Sequence, residues 1–403
     1  MKKRITILTL VLLMSGVALA IWIKNSPSSK VPLHSNVRHN DVAVNGSKTI
    51  RQSDTGSVQD DPVLHPGIII ASEPVTYKNL QVFFLYGHAE IEGERYVTLD
   101  DALKGKLVVV RETSDVNELK LDNRSSSYIY INSGDIVRGG KQDRTIQFDV
   151  VIAPKTRNVN LASFCVEAGR WDNRGNESAH MFSSSQNALS SKQLKAAAKM
   201  SRDQGEVWDK VKVYQDQANE NITKNYSGLG KVDVKSDISS SSLQLTLENK
   251  NIRNINGKYR QHILEHFRNR KNAIGIACFI NGKLASIDIF NNEMLFSDLL
   301  DKMLNSVIDE AISEDIVKNY KPADTANVYG FIRQSSRLLS ADKVNKSTLF
   351  STYKTKDHVM LFVTDDRDQG KWLHKNWLET DDDPDQRQLM NSYQDAINEI
   401  RNP

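Results

Sequence analysis

Two stretches carry most of the residues able to bind or transform a ligand. The first runs Gly134-Asp135-Ile136-Val137-Arg138-Gly139-Gly140-Lys141-Gln142-Asp143-Arg144, and the second Cys165-Val166-Glu167-Ala168-Gly169-Arg170-Trp171. Adjacent glycines permit a backbone path that residues with side chains resist, and they leave amides open to an anion. Lys141, Gln142 and Arg144 add donors, while Asp135 and Asp143 add acceptors. An arginine forks onto carboxylate or phosphate, a tryptophan stacks on a base or sugar face, and a glutamate accepts from hydroxyls or acts as a base. The same residues also fit a plain β-turn with an Arg–Asp salt bridge and an Arg–Trp stack closing a sheet end. The turn is not a GxxxxGK[ST] phosphate loop, and no helix is expected after it. Cys165 has no base nearby in sequence and reads as an ordinary buried cysteine.

The elements that must position these stretches are short strands. Leu80 to Tyr86, Leu107 to Arg111, Glu118 to Leu121, Tyr128 to Ile131, Thr145 to Ile152 and Val159 to Val166 are apolar runs parted by Asp, Asn, Ser, Gly and Pro. Thr98 opens a short helix that Gly105 stops. Residues 183–223 turn to Gln, Lys, Ala and Asp, with Leu194, Ala198, Ser201, Gly205, Trp208 and Val211 at helical spacing. Asn281-Gly282 between alternating apolar runs predicts a type I′ hairpin that pairs Ile280 with Lys283, Cys278 with Ala285 and Ile276 with Ile287. A long helix follows through Leu295, Leu299, Met303, Val307 and Ala311. Strands are expected near Val328 to Ile332 and Val359 to Val363, and Asp383-Pro384 opens a terminal helix. The fold class is therefore α+β. An N-terminal antiparallel β-sandwich-like or barrel-like domain (64–182) carries both stretches. A helical connector and loop (183–241) leads to a C-terminal α+β domain (242–403) built on the hairpin and long helices.

Composition narrows the setting. At 403 residues the chain is long enough for two cores, and its 39% hydrophobic and 26% charged residues are those of a globular protein. A net charge of +3 with interspersed signs gives no support for a nucleic-acid partner. Two cysteines exclude a disulfide scaffold and the usual cysteine zinc clusters. Lys2, Lys3 and Arg4 precede an apolar run from Ile5 to Ile23 with Ala18-Leu19-Ala20 as a cleavage-like triplet. Residues 1–23 thus read as a signal peptide or an uncleaved membrane anchor, and 24–63 as a flexible tether. Either way the chain is expected to be exported, in the periplasm or anchored facing outside the cytoplasm.

Both stretches, together with Gly275-Ile276-Ala277-Cys278-Phe279-Ile280-Asn281-Gly282-Lys283 and Asp288-Ile289-Phe290, resemble the ADP-ribosylglycohydrolase- and rhodanese-phosphatase-superfamily-associated protein domain family. The resemblance covers about residues 75–365, and its most specific parts are Gly139 to Arg144 and Phe164 to Trp171. It implies a site at Gly139, Gly140, Gln142, Asp143, Arg144, Glu167, Arg170 and Trp171, and a ligand linked to ADP-ribose or NAD derivatives. It implies no mechanism and no cofactor. Members are generally cytosolic, whereas this chain carries an export-like segment.

The leading expectation is a ligand-binding or sensor domain for a small anionic molecule of the nucleotide or ADP-ribose kind. Arg144 and Arg170 would hold the anion, Glu167 and Asp143 would accept from hydroxyls, and Trp171 would stack. A hydrolase using Glu167 or Asp143 as acid or base is the second reading. A third is a zinc metallopeptidase on His262, Glu265 and His266, whose H-x-x-E-H spacing puts both histidines on one helix face. A fourth is a structural envelope protein without a small ligand. No nucleophile–base pair stands out, so whether a reaction is catalysed stays open.

Overall fold

The computed structural model describes residues 67–380, apart from 114, 227, 268–270, 357–358 and the side chains of 186–188. The N-terminal apolar run, the tether and the helix expected from Asp383-Pro384 lie outside the described residues. The strands of the first half are β1 (Ile70–Ala71), β2 (Val75–Tyr77), β3 (Leu80–Tyr86), β4 (Tyr96–Thr98), β5 (Val108–Arg111), β6 (Glu118–Asn123), β7 (Tyr128–Ile131), β8 (Asp135–Gly139), β9 (Arg144–Ile146), β10 (Val150–Ile152), β11 (Val159–Cys165) and β12 (Phe182–Leu189). Those of the second half are β13 (Ala273–Ile280), β14 (Lys283–Phe290), β15 (Arg337–Lys343), β16 (Thr348–Lys354), β17 (Val359–Asp366) and β18 (Lys371–Glu379). The helices are α1 (Leu99–Lys104), α2 (Lys192–Ala196), α3 (Gln204–Asn225), α4 (Leu243–Leu247), α5 (Lys250–His266), α6 (Glu293–Ser313) and α7 (Thr325–Ile332).

The fold is α+β with mostly antiparallel sheets; β4 and β7 form a parallel pair. A large sheet runs β1-β3-β13-β14-β18-β17-β16-β15, with β2 added on β3. A second runs β12-β8-β9-β11-β6-β5, and a third β10-β7-β4. In the second sheet Arg111 bridges Met181, and the Glu112 amide donates to the His180 carbonyl at 3.0 Å. These contacts draw its outer strands together and curl it toward a barrel, which leaves fewer open edges. Val110, Leu119, Leu121, Val137, Ile146 and Leu161 fill its apolar core. Each such side chain, fully buried, contributes roughly 1.5–3 kcal/mol.

Local chemistry explains most boundaries. The Thr98 hydroxyl accepts from the Asp101 amide at 3.3 Å, Asp100 and Asp101 sit in the first turn of α1, and Gly105 ends it, as expected. Asn281 and Gly282 take φ of 51° and 76°, the turn expected of this dipeptide, and a Cβ on Gly282 would collide with the Lys321 carbonyl. Ile280 pairs with Lys283, but a bulge then shifts the register. Ala285 is the extra residue, so Cys278 faces Ser286 and Ile276 faces Asp288 rather than Ile287.

Other expectations are corrected. The run Thr145 to Ile152 splits into β9 and β10 in different sheets, because the Asp149 carboxylate turns inward to accept from the Ser133 amide at 2.7 Å. Residues 182–189 are a strand that completes the edge beside β8, so the helical segment starts only at Lys192. Val328 to Ile332 is helical: a reciprocal Asp324–Asn327 capping box starts α7, which buries Val328 and Ile332 one turn apart. β18, which carries Trp372, His374 and Trp377, is largely buried on both faces and so lacks alternation.

Two ion triads lie largely in the interior. Lys302 of α6 stands 2.6 Å from Asp100 and 2.6 Å from Asp135. His374 stands 2.6 Å from Asp149 through Nδ1 and 3.2 Å from Asp288 through Nε2, with the Phe290 ring stacked on it. Burial works against a charged His374, but the two carboxylates more than offset it and raise its pKa. Burial, opposed by Lys302 and reinforced by Asp100, pushes Asp135 up to about 6.

Candidate functional site

The two motif stretches meet at one end of the curled sheet. β8 stops at Gly139 and β9 starts at Arg144, leaving residues 140–143 as the turn. Gly139 and Gly140 have φ of 124° and 58°. A Cβ on Gly140 would strike the Phe182 ring and come within 2.6 Å of Glu112, so a side chain is excluded on both counts. The turn's amides are engaged. Gly139 donates to Asp143 Oδ1 at 3.0 Å, Gly140 to the Ser178 carbonyl at 2.9 Å, and Lys141 to Glu112 Oε2 at 3.2 Å. The anion nest expected of adjacent glycines is thus filled by the protein's own acceptors, because Asp143 folds back on the turn.

The end of β11 lies against this turn. The Val166 amide donates to the Asp143 carbonyl at 3.0 Å, and Gln142 Nε2 donates to the Glu167 carbonyl at 2.8 Å. The Asp143 and Glu167 side chains are both fully buried. Arg170 Nε stands 2.7 Å from Glu167 Oε2, and its Nη2 3.6 Å from Asp143 Oδ1. Arg174 forks onto Asp143 at 3.1 and 3.3 Å and lies 3.7 Å from Glu167. It also donates to Glu177 at 3.0 Å. Arg138 extends the network to Glu177 at 2.5 Å and Glu248 at 2.9 Å.

Of the expected site residues, Gly139, Gly140, Gln142, Asp143, Glu167 and Arg170 converge. Arg144 is 2% exposed and takes Glu112 at 3.2 Å and the Gln142 carbonyl at 3.1 Å as partners. Trp171 is 57% exposed. Arg138, Arg174, Glu112, Glu177 and Glu248 join the cluster without having been singled out from the sequence. For Arg174 and Glu177 there was a signal, since both lie in the charged run just after Trp171. Glu112 and Glu248 are too far along the chain to be placed by pattern.

Four guanidiniums, of Arg138, Arg144, Arg170 and Arg174, meet five carboxylates, a formal balance of −1. Burial pushes Asp143 above the usual carboxylate range; Arg174 opposes the shift and the Glu167 charge adds to it. Burial works against the Arg174 charge, yet Asp143 and Glu177 more than offset it. Burial also pushes the Cys165 thiol up to about 11, so it stays protonated at neutral pH. Cys165 and Cys278 are both free and buried.

Two clefts border the cluster. One, of about 590 Å³, is lined by Gly169, Arg170, Lys235, Ser239, Ser240 and Ser241 among others. The other, of about 620 Å³, has Arg138, Arg174 and Glu177 in its lining. Ile238 borders both. On α5, the His262 ring packs 5.0 Å from Tyr77 and 4.6 Å from His266, and His266 Nδ1 lies 2.7 Å from the His262 carbonyl. Among the described residues no group of three or more His, Cys, Asp or Glu is arranged to hold a metal. Among them, too, no helix is long and apolar enough to cross a membrane.

The molecule is thus an α+β protein with two clefts set against one buried ion cluster. The ARG and Rhodanese-Phosphatase-superfamily-associated Protein domain matches residues 69–376, and the chain belongs to that family. No curated protein and no solved structure matches it.

Proposed function

We propose that the chain is an exported ligand-binding or sensor domain for a small anionic molecule of the nucleotide or ADP-ribose kind. Residues 1–23 direct its export, as a signal peptide that is cleaved or as an anchor that holds it at the membrane facing outside the cytoplasm. In this reading a β-rich part, residues 64–182, supplies the ion cluster. A connector, 183–241, walls the cleft with its last residues, and 242–403 form the α+β part.

One observation carries the reading. Arg170 is the cluster guanidinium that also lines the 590 Å³ cleft, where serines 239–241 and Lys235 stand beside it. A volume of that order suits a small ligand. Arg170 would take the anion with Lys235, the serine hydroxyls would donate, and Asp237 at the rim would accept from sugar hydroxyls. Trp171 would stack from solvent. Arg144, Gly139, Gly140 and Gln142 would hold the frame on which Arg170 rests.

Binding is better supported than hydrolysis. A general acid or base must reach the substrate, whereas Asp143 and Glu167 are fully buried and each is held by Arg170 and Arg174. Isothermal titration with ADP-ribose and with inorganic pyrophosphate tests the proposal. The expected result is saturable binding that weakens about tenfold or more in Arg170→Ala. Heat signals that do not saturate for either compound would refute it.

A further inference from the structure

A cleft of about 310 Å³ opens between the end of α5, the start of β13 and the first turns of α6. It shares no lining residue with the two clefts beside the ion cluster. Its volume is at the lower end for small-molecule sites. Its floor is apolar, made by Phe267, Ala273, Phe296 and Leu300, all buried. The Phe267 ring stacks on Phe84 with centroids 3.7 Å apart, so this wall is fixed before anything binds. Met294 lines the same cleft and is 39% exposed. Its adaptable thioether is apolar surface that a bound ring would remove from water.

The polar side of the cleft selects the head group. Asp298 lines it, is exposed, and has no hydrogen bond or ion pair among the described residues. Partial burial, then the charges of Asp101 and Glu94, push its pKa above the usual carboxylate range. Asp101 is answered in part by Lys104 at 3.7 Å, and Glu293 Oε1 accepts from the Asn272 amide at 3.0 Å. Lys271 is the cation of the lining, and it already has a partner. An ammonium beside Asp298 therefore gains an attraction that no described side chain supplies, whereas a carboxylate would meet the charges of Asp298 and Glu293.

We propose that this cleft is a second binding site, for a small arylalkyl ammonium compound. The ring lies on Phe267, Phe296 and Leu300 beneath Met294, and the ammonium pairs with Asp298. Three probes with one ring and similar chains test it: phenethylamine, phenethyl alcohol and hydrocinnamate. The readout is the methyl NMR spectrum of the full chain labelled at Ala, Leu and Met. Phenethylamine is expected to shift the Ala273, Met294 and Leu300 methyls to saturation, with the alcohol about tenfold weaker and the carboxylate weaker still. Asp298→Asn, at an exposed position, should bring the amine down to the affinity of the alcohol and leave the alcohol unchanged. Methyls that stay still, or an amine preference that survives in Asp298→Asn, would overturn the proposal. So would a carboxylate that binds as tightly as the amine, the order favoured by Lys271 and by Arg268 and Arg270, which lie outside the described residues. Arg170 does not line this cleft, so none of these results bears on anion binding there.

Discussion

Lys302 holds two aspartates in the interior, and His374 holds Asp149 there and Asp288 at the edge of a small pocket. Arg170 and Arg174 hold Asp143 and Glu167, equally buried, but they stand at the floors and walls of clefts. Residue types hardly distinguish the two arrangements. What distinguishes the Lys302 triad from the cluster is the path to solvent. In the triads a cation bridges elements far apart in sequence, α6 to α1 and β8, or β18 to β14 and the start of β10. In the cluster three of the five carboxylates and all four arginines come from residues 138–177, and Arg138, Arg170 and Arg174 line clefts. The triads tie separate elements together; the cluster borders two clefts.

The comparison breaks most visibly if a triad cation is removed. Lys302→Met leaves Asp100 and Asp135 buried without a counter-charge, and it is expected to cost about 3–5 kcal/mol by chemical denaturation. Arg174→Met should cost less, roughly 2–4 kcal/mol, because Arg170 stays within reach of both Asp143 and Glu167. An Arg174 variant more damaging than the Lys302 variant would reverse the assignment of roles.

The pH dependence sharpens the contrast. Asp135 has its folded pKa raised to about 6. Its contribution to stability is therefore full below the unfolded pKa near 4 and is lost as pH rises through about 6. Relative to Asp135→Asn, the wild type should lose on the order of 2–3 kcal/mol between pH 4 and 7. A flat difference across that window would mean Lys302 fully compensates the charge. At the small end, Trp171→Ala should leave stability within about 0.5 kcal/mol, as for other exposed positions, while weakening ADP-ribose. A stability loss well above that would make Trp171 structural.

Much of this was legible in the residues. Asn281-Gly282 announced its hairpin because only a few residue pairs accept two positive φ angles, yet the bulge at Ala285 carries no local signal. Thr98 and Gly105 marked both ends of α1. The two motif stretches lie against one another because the turn after β8 and the end of β11 are on neighbouring parts of one sheet. Val328 to Ile332 is a helix where a strand is expected, for a physical reason. A short apolar run buried on its faces has no period to tell strand from helix. The partners of the arginines were hidden because Glu112 and Glu248 approach through the closing of the sheet and through α4, which no local pattern encodes.

We propose that Arg170 joins a buried ion cluster to an anion-binding cleft. Titrating ADP-ribose calorimetrically into the wild type, Arg170→Ala and Arg144→Ala tests it most directly. The expected result is saturable binding, weakened about tenfold or more in Arg170→Ala and less in Arg144→Ala, since Arg144 is 2% exposed and held by Glu112. Equal binding by the wild type and Arg170→Ala would contradict it.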